Sequence, residues 1–260
     1  MSSSPKEAPL TPRQRTILDQ LEQRGFISTM DLAETFAVSD MTVRRDTRVL
    51  SQKGLVRVVH GGVSAVNASG QNADFAARVR EDADAKQRVA RACVSMIGER
   101  DAIILDAGTT TYQIALELPP TFAGTIITHS APAIQRCLQL TAARTICLGG
   151  ELLLDSQAFN GPMTVSAAAG LRAKTAFIGV SGLHDEAFYI ERDVERATKI
   201  ALMDSAEQVV VVATHQKMLR YALARLAAFD AVDVLVTDAP PPWEIEDALG
   251  AANVKIVVAA

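Results

Sequence analysis

The chain has 260 residues, 48% of them hydrophobic, with a formal net charge of −4. That length can bury one good core with room for a second, smaller one. The acidic balance argues against a protein that coats nucleic acid by bulk charge, so any DNA contact has to be a local basic patch. Cys93, Cys137 and Cys147 stand in apolar surroundings without CxxC or Cys/His ligand spacing, which points away from a disulfide framework and a metal site and fits a reducing cytoplasm.

Residues 1–10 are mostly small and polar, punctuated by proline, and read as a disordered tail. They lack the apolar stretch of a signal peptide, and apolar runs elsewhere are strand-length, such as Val209 to Ala213. A cytoplasmic protein without a membrane partner is expected. From Thr11 the pattern turns helical: Thr11 can cap, Pro12 suits a first turn, and Ile17, Leu18 and Leu21 recur until Gly25. A second helix follows Ser28, carrying Leu32, Ala33 and Phe36 on one face. Ser39 caps a third, in which Val43 and Leu50 are spaced for burial while Arg44, Arg45 and Arg48 project outward until Gly54. Leu55 to Val59 alternates, then meets His60-Gly61-Gly62 and Val63, the pattern of a small β-hairpin or wing. Residues 11–66 are therefore expected to form a winged helix-turn-helix, and the polar, glycine-containing residues 67–74 a linker.

A long amphipathic helix is predicted from about Phe75 to Ile97, with Val89, Ala90, Cys93 and Ile97 inside and Arg78, Arg80, Lys86 and Arg88 outside. Apolar strands follow at Ala102 to Leu105, Thr125 to Thr128, Thr145 to Leu148, Ala176 to Val180, Val209 to Ala213, Val232 to Thr237 and Val254 to Val258. Helical stretches such as Thr111 to Leu118, Ala131 to Leu140 and Val194 to Asp204 separate most of them. Strands apolar throughout and alternating with helices imply a mostly parallel, doubly wound α/β domain over residues 75–260.

The third helix has the chemistry of a recognition helix. Short donors and guanidinium forks can enter the major groove while the opposite face stays in a core. Between Thr42 and His60 there are five basic side chains, Arg44, Arg45, Arg48, Lys53 and Arg57, against one acid, Asp46. With Ser39, Thr42 and His60 these form the candidate DNA-binding set. The stretch LAETFAVSDMTVRRDTRVLSQKGLVRVVHGG resembles the DeoR-type helix-turn-helix of bacterial transcriptional regulators. The resemblance implies that Thr42, Arg44 and Arg45 lie at base edges or adjacent phosphates, with the wing on the backbone. Thr47 departs from the family's usual leucine and is expected to leave that face less well buried, at about 1 kcal/mol.

Downstream, Leu105-Asp106-Ala107-Gly108-Thr109-Thr110-Thr111 is an apolar strand ending in an acid, then a glycine and hydroxyls opening a helix. Gly108 would let the backbone approach an anion, which the helix N-terminus and the hydroxyls would bind. No GK[ST] follows, so this is not a Walker loop, and no cofactor is implied. Thr128-His129-Ser130, Leu148-Gly149-Gly150-Glu151, Gly179-Val180-Ser181-Gly182 and Thr214-His215-Gln216-Lys217 are further polar loops at strand ends, where parallel sheets bind ligands. Lys217 is a suitable point charge for phosphate. His129 and His215 could donate to a ligand, although a lone loop histidine is more commonly solvated.

The resemblance continues through DAGTTT, THS, LGGELL, Phe159-Asn160-Gly161, AFIGVSG, Glu195 with Lys199, and the lysine after VVVVA, and so spans Thr11 to Asp238. It implies an effector-binding domain similar in fold to ribose-5-phosphate isomerase, with a phosphorylated sugar or sugar-derived metabolite as ligand. Gly108, Thr109, Thr110 and Lys217 would surround the phosphate. Asp106, Thr128, His129, Ser130, Gly149, Gly150 and Glu195 complete the candidate effector-binding set. His129 replaces the family's usual asparagine and Thr214 an aspartate, at positions assigned to the sugar end.

The expected function is a sequence-specific regulator, a repressor of carbohydrate genes released by its effector. It would bind operator DNA as a homo-oligomer, dimer or tetramer. Two other readings stand beside it. A sugar-phosphate isomerase would need a carboxylate base over the substrate and a group to polarise its carbonyl; Asp106, Glu151 and Glu195 are available, without an evident acid pair. A ligand-free dimerisation module would leave the glycine and hydroxyl loops unexplained.

Overall fold

The computed structural model describes residues 10–24, 26–53, 55–59, 62–65, 75–218 and 220–259. The chain divides into two units, Met1–Asp74 and Phe75–Ala260. Residues 1–9 of the expected tail and residues 67–74 of the expected linker lie outside the described residues.

In the first unit, helix α1 (Pro12–Arg24) opens on a reciprocal cap. Thr11 N–H donates to Gln14 Oε1 at 3.1 Å, and Gln14 N–H donates to Thr11 Oγ1 at 3.2 Å. Strand β1 (Phe26–Ser28) leads into α2 (Thr29–Thr35), where Ser28 accepts from Asp31 N–H at 3.0 Å. Helix α3 (Asp40–Gln52) is capped by Ser39, and β2 (Val56–Val59) and β3 (Gly62–Ala65) form the antiparallel wing. The strand order is β1-β3-β2; β1 has only three residues, too few to show an alternation in sequence. Ile17, Leu21, Leu32, Val43, Leu50 and Val63 meet in one small core. Thr47 is buried, contrary to expectation, because its hydroxyl donates to Val43 O at 3.0 Å and Arg44 O at 3.2 Å and needs no water.

The second unit starts with α4 (Phe75–Arg80) and α5 (Ala83–Val94). The single long helix read from the sequence is thus two, broken where Asp82 takes a left-handed conformation, φ 49°. Next come β4 (Ala102–Leu105), α6 (Thr109–Glu117), β5 (Thr125–Thr128), α7 (Ala131–Cys137) and β6 (Arg144–Cys147). The hairpin β7 (Glu151–Leu153) and β8 (Ala158–Asn160), then α8 (Pro162–Ala169), precede β9 (Ala173–Gly179). Strands β10 (Gly182–His184) and β11 (Ala187–Ile190) lead to α9 (Arg196–Asp204), β12 (Ala206–Val212) and the short α10 (His215–Met218). The chain continues through β13 (Ala224–Ala228), β14 (Val234–Thr237), α11 (Trp243–Ala251) and β15 (Lys255–Val258).

Seven strands form one sheet in the order β15-β14-β12-β9-β4-β5-β6, every pair parallel. Alternate residues feed opposite faces. Ile104, Ile178 and Val211 pack with Leu202 of α9 and Leu249 of α11, while Leu105, Phe177 and Val212 pack with Val89 of α5 and Ile114 of α6. Strand order reverses between β4 and β9, so a crevice is expected outside their carboxyl ends. The antiparallel sheet β10-β11-β13 stands apart from the large one. Among the described residues no helix is long and apolar enough to cross a membrane.

Ala37, in the turn before α3, has φ 51°, a conformation that strains any residue with a Cβ. Ala37→Gly is therefore expected to stabilise the first unit by up to about 1 kcal/mol. Urea denaturation monitored on that unit checks this; an unchanged or lowered midpoint would refute it.

Candidate functional site

Helix α3 presents two chemically distinct faces. Val43 and Leu50 are buried, whereas Ser39, Arg44, Arg45 and Arg48 are exposed and Thr42 half-buried. Ser39 Oγ lies 2.9 Å from Thr42 Oγ1, and Arg44 Nε donates to Asp40 Oδ2 at 2.6 Å. An exposed pair one helical turn apart is weak, so Arg44 can exchange Asp40 for a phosphate or base edge at little cost. Lys53 is the C-cap of α3, and Arg57 lies in β2 opposite Ser64. His60 lies outside the described residues.

Asp46 was counted in the sequence only as an opposing charge. It is buried and accepts from Arg13 Nε at 2.6 Å and Gln14 Nε2 at 3.1 Å, which ties α3 to α1. Its phase, three residues after Val43 and four before Leu50, is the signal that places it on the inner face.

In the second unit, Asp106 follows β4 at the point where strand order reverses, fully buried. One carboxylate oxygen accepts from Gly179 N–H of β9 at 2.8 Å and from Lys199 of α9. The other lies 3.0 Å from His129 Nε2, after β5. Lys199 also donates to Gly179 O at 3.0 Å. Burial works to raise the Asp106 carboxyl, but the Lys199 charge and the His129 contact outweigh it and hold it down at about 2. His129 is buried, not solvated: Nδ1 donates to Phe159 O at 2.7 Å, which fixes the ring and leaves Nε2 within 3.0 Å of Ala107 N–H.

Thr128 and Ser130 serve the loop itself. Thr128 Oγ1 donates to Leu105 O at 2.6 Å and accepts from Ser130 N–H at 3.1 Å, while Ser130 caps α7. Gly150 has φ 150° and faces Thr164 so closely that a Cβ would overlap its hydroxyl; the neighbouring Gly149 O accepts from Thr164 Oγ1 at 2.7 Å. These four residues are committed to packing the turns. Gly108 has an extended backbone, φ 177°, open to any residue, so its conformation does not require glycine.

The α6 N-terminus does carry free capacity. Thr109, Thr110 and Thr111 precede the N–H of the first intrahelical bond, Tyr112 N–H to Gly108 O, and Thr110 Oγ1 is buried without a partner. Thr198 Oγ1, His215 Nδ1 and Thr237 Oγ1 are likewise buried and unpaired, the last two at the carboxyl ends of β12 and β14.

Lys217 reaches from α10 to donate to Val180 O at 2.8 Å, one residue beyond the carbonyl that Lys199 holds. Burial, reinforced by repulsion from Lys86, Lys199, Arg78 and Arg220, pushes its ammonium down to about 8. Lys86, read as outward-facing, is buried, and burial lowers its pKa too. Glu195, in the 3₁₀ turn before α9, is the leading carboxylate acting on Arg78. Sequence reasoning passed over Arg78, Lys86 and Arg220 because single basic residues on helices and loops look like ordinary surface.

This geometry does not suit an isomerase base. Asp106 is ionised, sealed and ion-paired, and Glu151 is exposed on the β7–β8 hairpin. A helix-turn-helix with an exposed arginine face, in one chain with a doubly wound domain, defines the class of DNA-binding regulators. The sequence matches the DeoR-like helix-turn-helix domain over residues 13–69 and the DeoR C terminal sensor domain over residues 81–239. The chain belongs to the DeoR family of transcriptional regulators.

It is similar to the glycerol-3-phosphate regulon repressor of Escherichia coli, 29% identical over 247 residues, covering 95% of this chain and 98% of that one. The transcriptional repressor AccR of Agrobacterium fabrum is 28% identical over 95% of this chain and 96% of its own length. The L-fucose operon activator of Haemophilus influenzae is 26% identical over 90% and 94%. Among solved structures, ribose 5-phosphate isomerase A from Methanocaldococcus jannaschii aligns with TM-score 0.39 and 17% identity over 53% of this chain and 55% of that one. The full-length sorbitol operon regulator SorC from Klebsiella pneumoniae aligns with TM-score 0.36 and 10% identity over 95% and 97%. Neither likeness is close enough to bear on function.

Asp106→Asn would leave Lys199 charged and buried beside a neutral amide. A loss of about 3–5 kcal/mol in urea-denaturation stability at neutral pH is expected, with recovery in a double variant that also replaces Lys199 by Met. Because the folded-state value is held near 2, the carboxylate's contribution is complete above the ordinary value of about 4 and disappears as pH falls through 2. Wild type should lose this stability over that window and Asp106→Asn should not. Equal acid profiles for the two proteins would contradict the assignment.

Proposed function

We propose that the protein represses genes of carbohydrate metabolism and that a phosphorylated sugar or related metabolite, bound at the carboxyl ends of β4, β9 and β12, releases it from its operator. The single observation that carries this reading is the cation cluster at the topological switch point. Among the described residues Lys217 hydrogen-bonds to a carbonyl, and four cations repel it while the Glu81 carboxylate only partly offsets them, an arrangement that a phosphate dianion would relieve. The α6 N-terminus with Gly108, Thr109 and Thr110 would supply N–H and hydroxyl donors to the same anion. The similarity to the glycerol-3-phosphate regulon repressor supports the ligand class.

In this reading Asp106, Thr128, Ser130, Gly149 and Gly150 shape the crevice rather than touch the phosphate, and His129 and Glu195 lie toward the rest of the ligand. Residues 11–66 read DNA, residues 67–74 link, and residues 75–260 sense and oligomerise. The protein works in the cytoplasm as a homo-oligomer, at least a dimer, because one winged helix contacts too little DNA for specific binding and paired recognition helices read paired half-sites.

Two substitutions separate the functions. Arg45→Ala should weaken operator binding by about 1–3 kcal/mol, with relaxed preference at one base position. Lys217→Met should keep operator affinity, raise the melting temperature of the unliganded protein, and loosen the effector about ten- to a hundredfold. Fluorescence anisotropy of labelled operator, titrated with sn-glycerol 3-phosphate and hexose phosphates and with the same compounds lacking phosphate, reads both. Equal responses to phosphorylated and unphosphorylated ligands would overturn the proposed site.

A further inference from the structure

Helix α4 begins at Phe75, where the second unit begins, so the chain passes through it on the way from the DNA-binding unit to the sensor. A helix of six residues has little stability of its own. Its seat depends on ties to neighbours. The Lys86 ammonium, from the first turn of α5, donates to Arg78 O and Glu81 O at the end of α4. Arg78 Nη2 donates to Asp155 O at 2.9 Å, Glu81 pairs with Arg220 at 2.8 Å, and Phe75 packs edge-on against Tyr112 of α6 at 5.7 Å between ring centroids.

Two features make this seat reversible. The joint to α5 is Asp82, held left-handed without glycine's freedom, so the α4–α5 corner stores strain. Lys86 is buried and its hydrogen bonds go to backbone carbonyls; the nearby Glu81 and Asp82 carboxylates favour its charge, but among the described residues neither is hydrogen-bonded to it. A carbonyl dipole holds an ammonium less strongly than an anion does. Arg220, whose N–H donates to Lys217 O at 3.3 Å, pairs with Glu81, so the end of α4 stands beside the end of α10, and the Lys86 charge acts on Lys217 across that junction.

We propose that Lys86 is a further ligand-contacting residue, and that an anionic group bound beside Lys217 draws its ammonium off the Arg78 and Glu81 carbonyls and so uncaps α4. This rests on the effector site proposed above. The bound anion replaces two ion–dipole contacts by ion–ion contacts, the α4 carbonyls lose their cap, and the strain at Asp82 favours release. Because α4 is the sensor's first element, its loosening changes the tether of the DNA-binding unit. Ligand binding is thereby coupled to operator release through differential contacts in two states of one short helix.

Hydrogen–deuterium exchange of the full chain, with and without millimolar inorganic phosphate or sn-glycerol 3-phosphate and with chloride at matched ionic strength, tests this beside a thermal-shift readout. The expected result is a raised melting temperature together with severalfold faster exchange of amides in residues 78–86. Lys86→Met should show the fast exchange without phosphate and no further change with it, and Lys86→Arg should restore the wild-type response. A raised melting temperature with unchanged or slower exchange in residues 78–86 overturns the role of Lys86 and leaves the effector site standing. No melting shift with either anion overturns the effector site and this inference with it. If Lys86→Met fails to fold, the wild-type exchange pattern still decides.

Discussion

The buried carboxylate of Asp106 is the contact on which the sensor unit depends. It sits at the one place where strand order reverses, and its partners come from three other segments: Gly179 at the end of β9, His129 after β5, and Lys199 from α9. A charge fully removed from water is tolerated only when its hydrogen bonds are filled and an opposite charge stands beside it. Both conditions hold here. The consequence is geometric: the ends of β4, β5 and β9 are fixed relative to one another and form a rigid floor for whatever binds beyond them.

Charges above that floor are arranged differently. Below, Lys199 and Asp106 neutralise each other; above, Lys217 and Lys86 are held by backbone carbonyls and repel one another. A protein selected only for stability would not keep a buried Lys86 and a half-buried Lys217 that repel one another. The arrangement is stable enough to exist because the rest of the domain supplies the balance, and it is relieved by an anion. Sensing and structure therefore use adjacent residues with opposite electrostatic logic.

Much of the fold could be read from the sequence, because doubly wound strands are apolar throughout and their helices carry regular stripes. The seven parallel strands were all anticipated within a few residues. Strands β1, β7, β8, β10, β11 and β13 were not, since they are short and antiparallel, joined by turns without a strong signature (β7–β8, β10–β11) or paired with strands distant in the chain (β1 with β3, β13 with β11). The β10–β11 turn, for example, places Asp185 and Glu186 at positive φ where asparagine and glycine would have advertised it. The break at Asp82 was hidden for the same reason: neither glycine nor proline marks it. In the site, Asp106 and Lys217 were visible because they follow apolar strands. Lys86 and Arg78 were not, because their contacts arise only when the end of α4 turns into α5 and comes beside Asp155 and Arg220. His129 and Thr128 read as polar loop residues and are instead buried connectors, a distinction set by tertiary packing.

Lys217 and its neighbouring cations form a preformed site whose positive charge the surrounding carboxylates only partly offset. The most direct test is the titration of the Lys217 side chain by NMR, with its ammonium followed in unliganded protein and in protein saturated with a phosphorylated ligand such as sn-glycerol 3-phosphate. Titration near 8 is expected without ligand. Because an anion favours the protonated form, a rise toward the ordinary lysine value of about 10.4 is expected with ligand, and an affinity that falls as pH climbs through 8. A Lys217 that titrates near its ordinary value without ligand, and does not respond to it, would contradict the account.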